Sequence, residues 1–180
     1  MTSLGESQGA RRARHFCALE RSLFGLLGGW VSSVAEPEVK ILLRAHSFQH
    51  AWHAELWAGL LPVGEDESSA VLRPAVEGVL ETVAGPVTTA ERLSAAYGAL
   101  LPQLEATYSL IREGLGEAAG GPERRVLDLI LADERVACRA GQVLLEALPG
   151  GPEDDGRTAA ERAVQVAAGA AGGLDATERA

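Results

Sequence analysis

Apolar and polar positions recur along most of the chain at intervals of three and four residues, which is the spacing of an amphipathic helix. The clearest example lies within residues 37–61, where one stripe advances by 4, 3, 4, 3, 4 and 3 residues through Val39, Leu43, His46, His50, His53, Trp57 and Leu60. No segment alternates apolar and polar residues long enough to predict a strand. The pattern therefore predicts an all-α protein.

Helix-breaking residues divide this pattern into four long helices. Proline and glycine mark most of the breaks, and Thr88 or Thr89 ahead of Glu91 is a typical helix start. We expect Pro102 to bend the third helix. The four helices are predicted at about Gln8–Val34, Pro37–Leu61, Thr89–Leu115 and Glu123–Leu148.

The second and third helices are joined by a connection of about 25 residues that contains a short helix, "SAVLRPAVEGVLETVA". A connection of this length can carry the chain from one end of a bundle to the other. The best topology is therefore a four-helix bundle with one long crossover, formed by residues 8–148. Residues 149–180 form a linker and an Ala/Gly-rich tail, which we expect to be one weak helix or disordered.

Charge and composition exclude several classes of function. The net charge of −9 makes a nucleic acid or an anionic membrane an unsuitable partner, and no apolar run is long enough to span a bilayer. The first residues lack the apolar core of a secretory signal, so we expect a cytoplasmic protein. Its two cysteines, Cys17 and Cys138, are expected to be free thiols.

Three histidines occupy one core-facing stripe of the second helix, within an arc of about 60°. Buried imidazoles are unfavourable unless their nitrogens have partners, so the stripe favours a polar site over three separate core histidines. The other long helices each place an ionisable group on an apolar stripe, and these groups are Glu20, Glu105 with Tyr108, and Glu134. For any one carboxylate alone, a misjudged boundary residue remains an equal alternative.

The spacing of these groups places them at similar depths. Glu20 and His50 are 30 residues apart, and Glu105 and Glu134 are 29 apart. In each predicted hairpin, the first group lies near the middle of the first helix and the second group lies near the middle of the antiparallel second helix. We therefore expect both pairs to meet.

At these residues the chain resembles the ferritin-like superfamily, which includes rubrerythrins and di-iron oxygenases, over residues 8–148. That family has Glu on its first helix and Glu-x-x-His on its second, and repeats this on the third and fourth. Here Glu20 matches the first Glu, and "HAWH" replaces Glu-x-x-His, with His50 in place of Glu and His53 in place of His. Glu105 matches the Glu of the third helix.

The fourth helix matches the family's Asp-Glu-x-x-His in part, with "DERVA". Glu134 takes the ligand position, and Asp133 matches the Asp that supports a histidine ligand of the opposite hairpin from outside the coordination sphere. Ala137 stands where the second His belongs. The resemblance thus implies the metal ligands Glu20, His50, His53, Glu105 and Glu134, with His46 as a further candidate at the pocket edge.

The resemblance implies a non-haem iron oxidoreductase that acts on a small organic molecule with dioxygen. The candidate catalytic residues are His50, His53 and Glu134, and Tyr108 is a candidate proton donor. Manganese or zinc in place of iron remains open, as do a metal-free acid–base enzyme that uses the same pocket and a non-catalytic binding or scaffold protein. The oligomeric state is also open, with a homodimer as one alternative.

Overall fold

The computed structural model describes residues 7–64, 72–116, 121–149 and 155–175, and in these ranges the chain is helical with no strand. The elements are α1 (Gln8–Trp30), α2 (Pro37–Ala58), α3 (Pro74–Ala84), α4 (Thr89–Leu93), a π-helix (Ser94–Leu100), α5 (Leu101–Gly114), α6 (Gly121–Ala147) and α7 (Asp155–Ala170). The predicted all-α class is thereby confirmed. The predicted loops and linker fall largely on 65–71, 117–120 and 150–154, which lie outside the described residues.

The helices begin where the local sequence supplies a cap. Ser7 Oγ accepts a hydrogen bond from the backbone N–H of Ala10 at 3.2 Å, and Pro37 lies in the first turn of α2. At the start of α4, Thr88 and Glu91 form the expected capping box, in which each side chain accepts a hydrogen bond from the other residue's backbone N–H. These caps satisfy backbone donors that a helix leaves free at its first turn.

The third predicted helix is interrupted before Pro102. It starts as α4, widens into the π-helix Ser94–Leu100 and continues as α5, with Pro102 in the first turn of α5. A π-turn contains an extra residue, which rotates the following helix by about 100° relative to an uninterrupted α-helix. The faces of α5 are therefore rotated relative to those of α4.

One apolar core joins the long helices. α1 packs along α2, α5 packs on α6, and α2 also contacts α6. At the core, the ring of Phe16 lies 5.1 Å from that of Trp57 and 4.8 Å from that of Tyr108, measured between centroids. This aromatic cluster lies directly beside the polar groups described below.

The tail is helical and packed over residues 155–175, which agrees with the helix rather than the disorder that the sequence left open as alternatives. α7 contacts α3 and the π-helix, and it buries Val164 and Ala168. Beyond α7, the carbonyl of Leu174 lies 2.9 Å from His15 Nε2, and the Arg73 guanidinium donates to the carbonyl of Ala171 at 2.6 Å. These contacts attach the tail to α1 and to the segment before α3.

Both cysteines, Cys17 and Cys138, are free, as expected from the sequence, and both are buried. Among the described helices, none combines the length and the apolar character that crossing a bilayer requires.

Candidate metal centre

A close approach of α1 and α2 fixes the first half of the site. A Cβ atom on Gly28 would lie 2.9 Å from Ser47 Oγ, so only glycine fits at this position without a shift. Ser47 Oγ in turn donates to the carbonyl of Phe24 at 2.9 Å. These contacts set the register of the two helices.

Four ionisable side chains meet in the core, two from α2 and one each from α1 and α6. Glu20, His50, His53 and Glu134 each offer one ligand atom, and these atoms all lie within 4.8 Å of one another. None of the four side chains has any exposed surface. Such a cluster of titratable groups far from water must be stabilised by its own members or by a bound cation.

The distances between these atoms fit a single small cation. His50 Nδ1 and His53 Nδ1 each lie 3.5 Å from Glu134 Oε1, and His53 Nδ1 lies 3.6 Å from Glu20 Oε2. In a tetrahedral site with metal–ligand distances near 2.1 Å, neighbouring ligand atoms are about 3.4 Å apart. The one shorter separation is the 2.6 Å hydrogen bond between His50 Nδ1 and Glu20 Oε2.

Polar atoms of the cluster lack hydrogen bonds within the part of the chain that the structure describes. These buried atoms are His50 Nε2, His53 Nδ1 and Glu134 Oε2. Leaving a buried polar atom without a partner costs roughly 1–3 kcal/mol. His53 Nδ1 and Glu134 belong to the four-ligand set, so a bound cation would use groups that the protein leaves incompletely satisfied.

A second set of contacts orients the candidate ligands. The hydroxyl of Tyr108 donates to Glu20 Oε1 at 2.5 Å, and His53 Nε2 lies 3.3 Å from Asp133 Oδ2. Metal-binding histidines commonly make such a contact to a carboxylate through the nitrogen that does not bind the metal. The expected contact between Asp133 and a histidine of the opposite hairpin is thus present, and Tyr108 contacts the site as predicted.

His46 is fully buried one turn from the cluster, where it contacts Glu134. Its Nε2 lies 3.4 Å from Glu134, and its Nδ1 lies 3.1 Å from the hydroxyl of Tyr97. Burial and the nearby His50 lower the pKa of His46, so its imidazole is neutral near pH 7. His46 therefore contacts Glu134 as a neutral hydrogen-bonding group.

The charged groups of the cluster stabilise one another in the metal-free protein. Burial alone would raise the pKa of Glu20, but the neighbouring His50 and His53 outweigh it and hold that pKa below its usual range. Burial opposes charge on Glu134 in the same way, and His50, His46 and His53 lower its pKa. Burial favours neutral His53, yet its contacts with Glu134 and Glu20 raise its pKa to about 10. Two carboxylates thus face a protonated imidazole.

Glu105 does not reach the site, and the prediction that it is a ligand is wrong. Its side chain is 30% exposed and accepts a hydrogen bond from Arg135 at 2.9 Å. After the π-helix, α5 buries Leu101, Leu104 and Tyr108, so the core-facing position next to Glu105 belongs to Leu104. α5 therefore contributes the hydroxyl of Tyr108 to the site, and not the carboxylate of Glu105.

Sequence reasoning also missed Tyr97, which the π-helix brings to His46. Its ring fills the space over Gly141 of α6, where an added Cβ would lie 2.1 Å from Tyr97 Cδ1. Gly141 on the apolar stripe of α6 was a visible signal that a bulky side chain packs there, but the π-turn itself leaves no simple mark in the spacing of apolar residues.

Chemically, the arrangement can hold one divalent cation among two imidazoles and two carboxylates, a donor set that suits iron, manganese or zinc. Without a cation, His50 and Glu20 are joined by a hydrogen bond of 2.6 Å. Comparison with known protein families, curated proteins and solved structures finds no match.

Proposed function

We propose that the protein is a metal-dependent oxidoreductase that binds one iron ion through Glu20, His50, His53 and Glu134. The observation that carries the proposal is the buried four-ligand cluster, whose interatomic distances fit one cation. The proposal includes a ferritin-like arrangement of the four long helical segments. In its support, the candidate ligands come from positions on α1, α2 and α6 where that family has its ligands.

The donor set favours one cation over two. Both imidazoles come from α2, Ala137 carries no donor on α6, and Glu105 lies at the surface. The family pattern for two metals needs a carboxylate from each of four helices and a histidine from each hairpin. Four donor atoms within 4.8 Å can complete a single coordination sphere.

Complete burial favours small reactants. No candidate ligand has exposed surface, so only a small molecule could reach a bound ion. Bound iron would supply one-electron chemistry and react with dioxygen. The substrate class that fits is a small organic molecule.

The residues in and around the site have distinct roles in this proposal. Glu20 and Glu134 neutralise the charge of the cation, and Asp133 orients His53 through Nε2. Tyr108 keeps its proton, because burial and Glu20 raise its pKa well above the usual value. Its hydroxyl therefore remains a donor to Glu20 Oε1 at neutral pH.

Metal content tests the proposal. Protein produced with iron, manganese and zinc available should carry about one equivalent of metal, predominantly iron, by elemental mass spectrometry. His53→Ala should lose most of it, whereas His15→Ala, which removes a buried histidine outside the cluster, should retain it. The metal-loaded protein should consume dioxygen in the presence of a reductant, and His53→Ala should not.

Less than about a tenth of an equivalent of any metal would contradict the proposal, since a site of appreciable affinity stays occupied when the ion is in excess. A metal-free acid–base enzyme is then the second candidate. The 2.6 Å hydrogen bond between His50 and Glu20 favours it, because a carboxylate that holds an imidazole can tune a general base. Full metal loading without dioxygen consumption would instead indicate a non-catalytic metal carrier.

A further inference from the structure

α2 carries a second apolar stripe, on the side opposite to its histidines. Ile41, Phe48 and Trp52 follow one another at helical spacing and are 71%, 57% and 57% exposed. At 100° per residue these side chains lie about half a turn away from His50. Phe24 of α1 extends the stripe, since its ring lies 6.3 Å from that of Phe48. Large exposed apolar side chains that adjoin one another are typical of an interaction surface.

A groove runs between α1 and α2 beside this stripe. Its volume is about 450 Å³, and most of its exposed lining is apolar. Phe24 and Phe48 form its walls, and Gly25, Gly28 and Gly29 leave space between the helices. This volume is large enough to accept a large side chain from outside.

The stripe carries opposite charges on either side of its aromatic pair, Phe48 and Trp52. The Arg44 guanidinium lies 5.2 Å from the centroid of the Phe48 ring, and Glu55 is exposed beyond Trp52. Arg44 and Glu55 are 11 residues apart along α2, or about 16 Å at 1.5 Å per residue. A face with an apolar centre, a cation on one side of it and an anion on the other is complementary to itself when turned end for end.

We propose that this face, made of Ile41, Arg44, Phe48, Trp52 and Glu55 with Phe24, is the interface of a two-fold symmetric homodimer. The two copies of α2 cross antiparallel, centred at the level of Gln49. This arrangement places Arg44 of each chain opposite Glu55 of the second copy. A two-fold axis applies the same contact twice, so both ion pairs form together.

The same alignment places a large side chain of the second copy at the groove between α1 and α2. With Arg44 opposite Glu55, Trp52 of the second copy lies opposite Ser47, which lines the groove together with Phe48. Large aromatic side chains seated in pockets supply much of the binding energy of protein interfaces. Charge pairing and apolar packing thus select the same register. The proposal is independent of metal binding.

Molar mass in solution tests this interface. The full chain at about 100 µM should have twice its chain mass of 18.8 kDa by light scattering coupled to size-exclusion chromatography. Trp52→Ser, Arg44→Glu and Glu55→Arg should each weaken the dimer at least tenfold, as measured by sedimentation. The double charge reversal Arg44→Glu with Glu55→Arg should restore it, because the ion pair reforms with reversed signs.

Val143→Ser on α6 is the matched control, because Val143 is similarly exposed on another helix and should leave the dimer unchanged. Far-ultraviolet circular dichroism of each variant confirms that the fold is kept, which is expected since all the substituted side chains are exposed. A monomeric wild type would overturn the proposal. A dimer that Trp52→Ser leaves intact, or charge reversals that do not compensate each other, would overturn it as well.

Discussion

His53 Nε2 lies 3.3 Å from Asp133 Oδ2, and this contact joins a side chain with no exposed surface to one that is 42% exposed. Because the Asp133 carboxylate accepts a hydrogen bond from Nε2–H, Nδ1 is left facing Glu20 and Glu134. The partly exposed Asp133 thereby fixes which nitrogen of a buried imidazole is offered to a cation.

Replacing Asp133 should therefore weaken metal binding without removing a ligand. We expect Asp133→Asn to raise the dissociation constant for Fe²⁺ about 10- to 100-fold, the range typical for partners that orient metal ligands. Competition with a chelator measures the change. Asp128→Asn is the control, since Asp128 pairs with Arg112 at the surface and should leave the affinity unchanged. Equal affinities for both variants would contradict the orienting role.

Glu134 and Glu105 were both predicted from the sequence to be metal ligands, but their replacement should affect metal binding differently. Glu134→Gln removes a buried candidate ligand and should abolish most metal binding. Glu105→Gln breaks only a surface contact with Arg135 and should keep about one equivalent. Elemental analysis of the two purified variants distinguishes the observed cluster from the five-ligand site of the sequence-based prediction, for which both variants lose metal.

Removing the hydroxyl of Tyr108 should destabilise the metal-free protein. Tyr108→Phe leaves the buried carboxylate of Glu20 without its 2.5 Å donor, and we expect a loss of about 1–3 kcal/mol in the free energy of unfolding. Urea titration measures it. Thr107→Val is the control, because the Thr107 hydroxyl bonds only its own helix at Gln103, and its effect should stay within about 0.5 kcal/mol.

Gly141 should resist any larger residue. A Cβ there would lie 2.1 Å from the Tyr97 ring, so Gly141→Ala should displace Tyr97 and reduce stability by about 1–3 kcal/mol. Gly169→Ala in α7 meets no atom within 4 Å and should instead stabilise by up to about 1 kcal/mol. Thermal unfolding of both variants checks the opposite signs. A neutral Gly141→Ala would mean that Tyr97 can move away freely.

The metal-free protein should lose stability as the pH rises from 7 to 9. The pKa of His53 is about 10 in the folded chain and near 6.5 when unfolded, so in this range only the folded state holds the proton. The contribution is complete below pH 6.5 and declines towards pH 10. Integrated over two pH units it is on the order of 1–3 kcal/mol.

Urea titrations of wild type and His53→Gln at pH 7 and pH 9 measure this difference. The variant should show little change between the two values, because its amide does not titrate. A wild type that is equally stable at both values would show that His53 is not protonated in the folded protein. Chelator must be present throughout, because a bound cation displaces the proton from His53.

The helical class and most of the candidate site were predictable from the sequence, because they depend on local spacing. The stripe through His50 and His53 and the opposing carboxylates Glu20 and Glu134 all lie on regular α-helices, where a repeat of three and four residues identifies the buried face. Each of these four residues is buried in the structure.

The errors concern features that local spacing does not encode. Glu105 was placed in the core because a repeat of three and four residues allows either Leu104 or Glu105 to face inward between Leu101 and Tyr108, and the structure buries Leu104. Tyr97 was overlooked because it lies in the π-helix Ser94–Leu100, which breaks the repeat. α7 was underestimated because its core contacts come from small residues such as Ala168, and its anchoring depends on His15 and Arg73, which are distant in the sequence. Tertiary contacts of this kind determine whether a weakly amphipathic segment is ordered.

The complete burial of the four candidate ligands has a consequence for how fast an ion can leave. A chelator in solution cannot contact an ion that is enclosed by α1, α2 and α6 until those helices separate. The half-time of release is then set by the opening rate of the protein and does not shorten as the chelator concentration rises. An ion captured during folding would be retained over the lifetime of the closed state, even when the surrounding medium contains a stronger competitor.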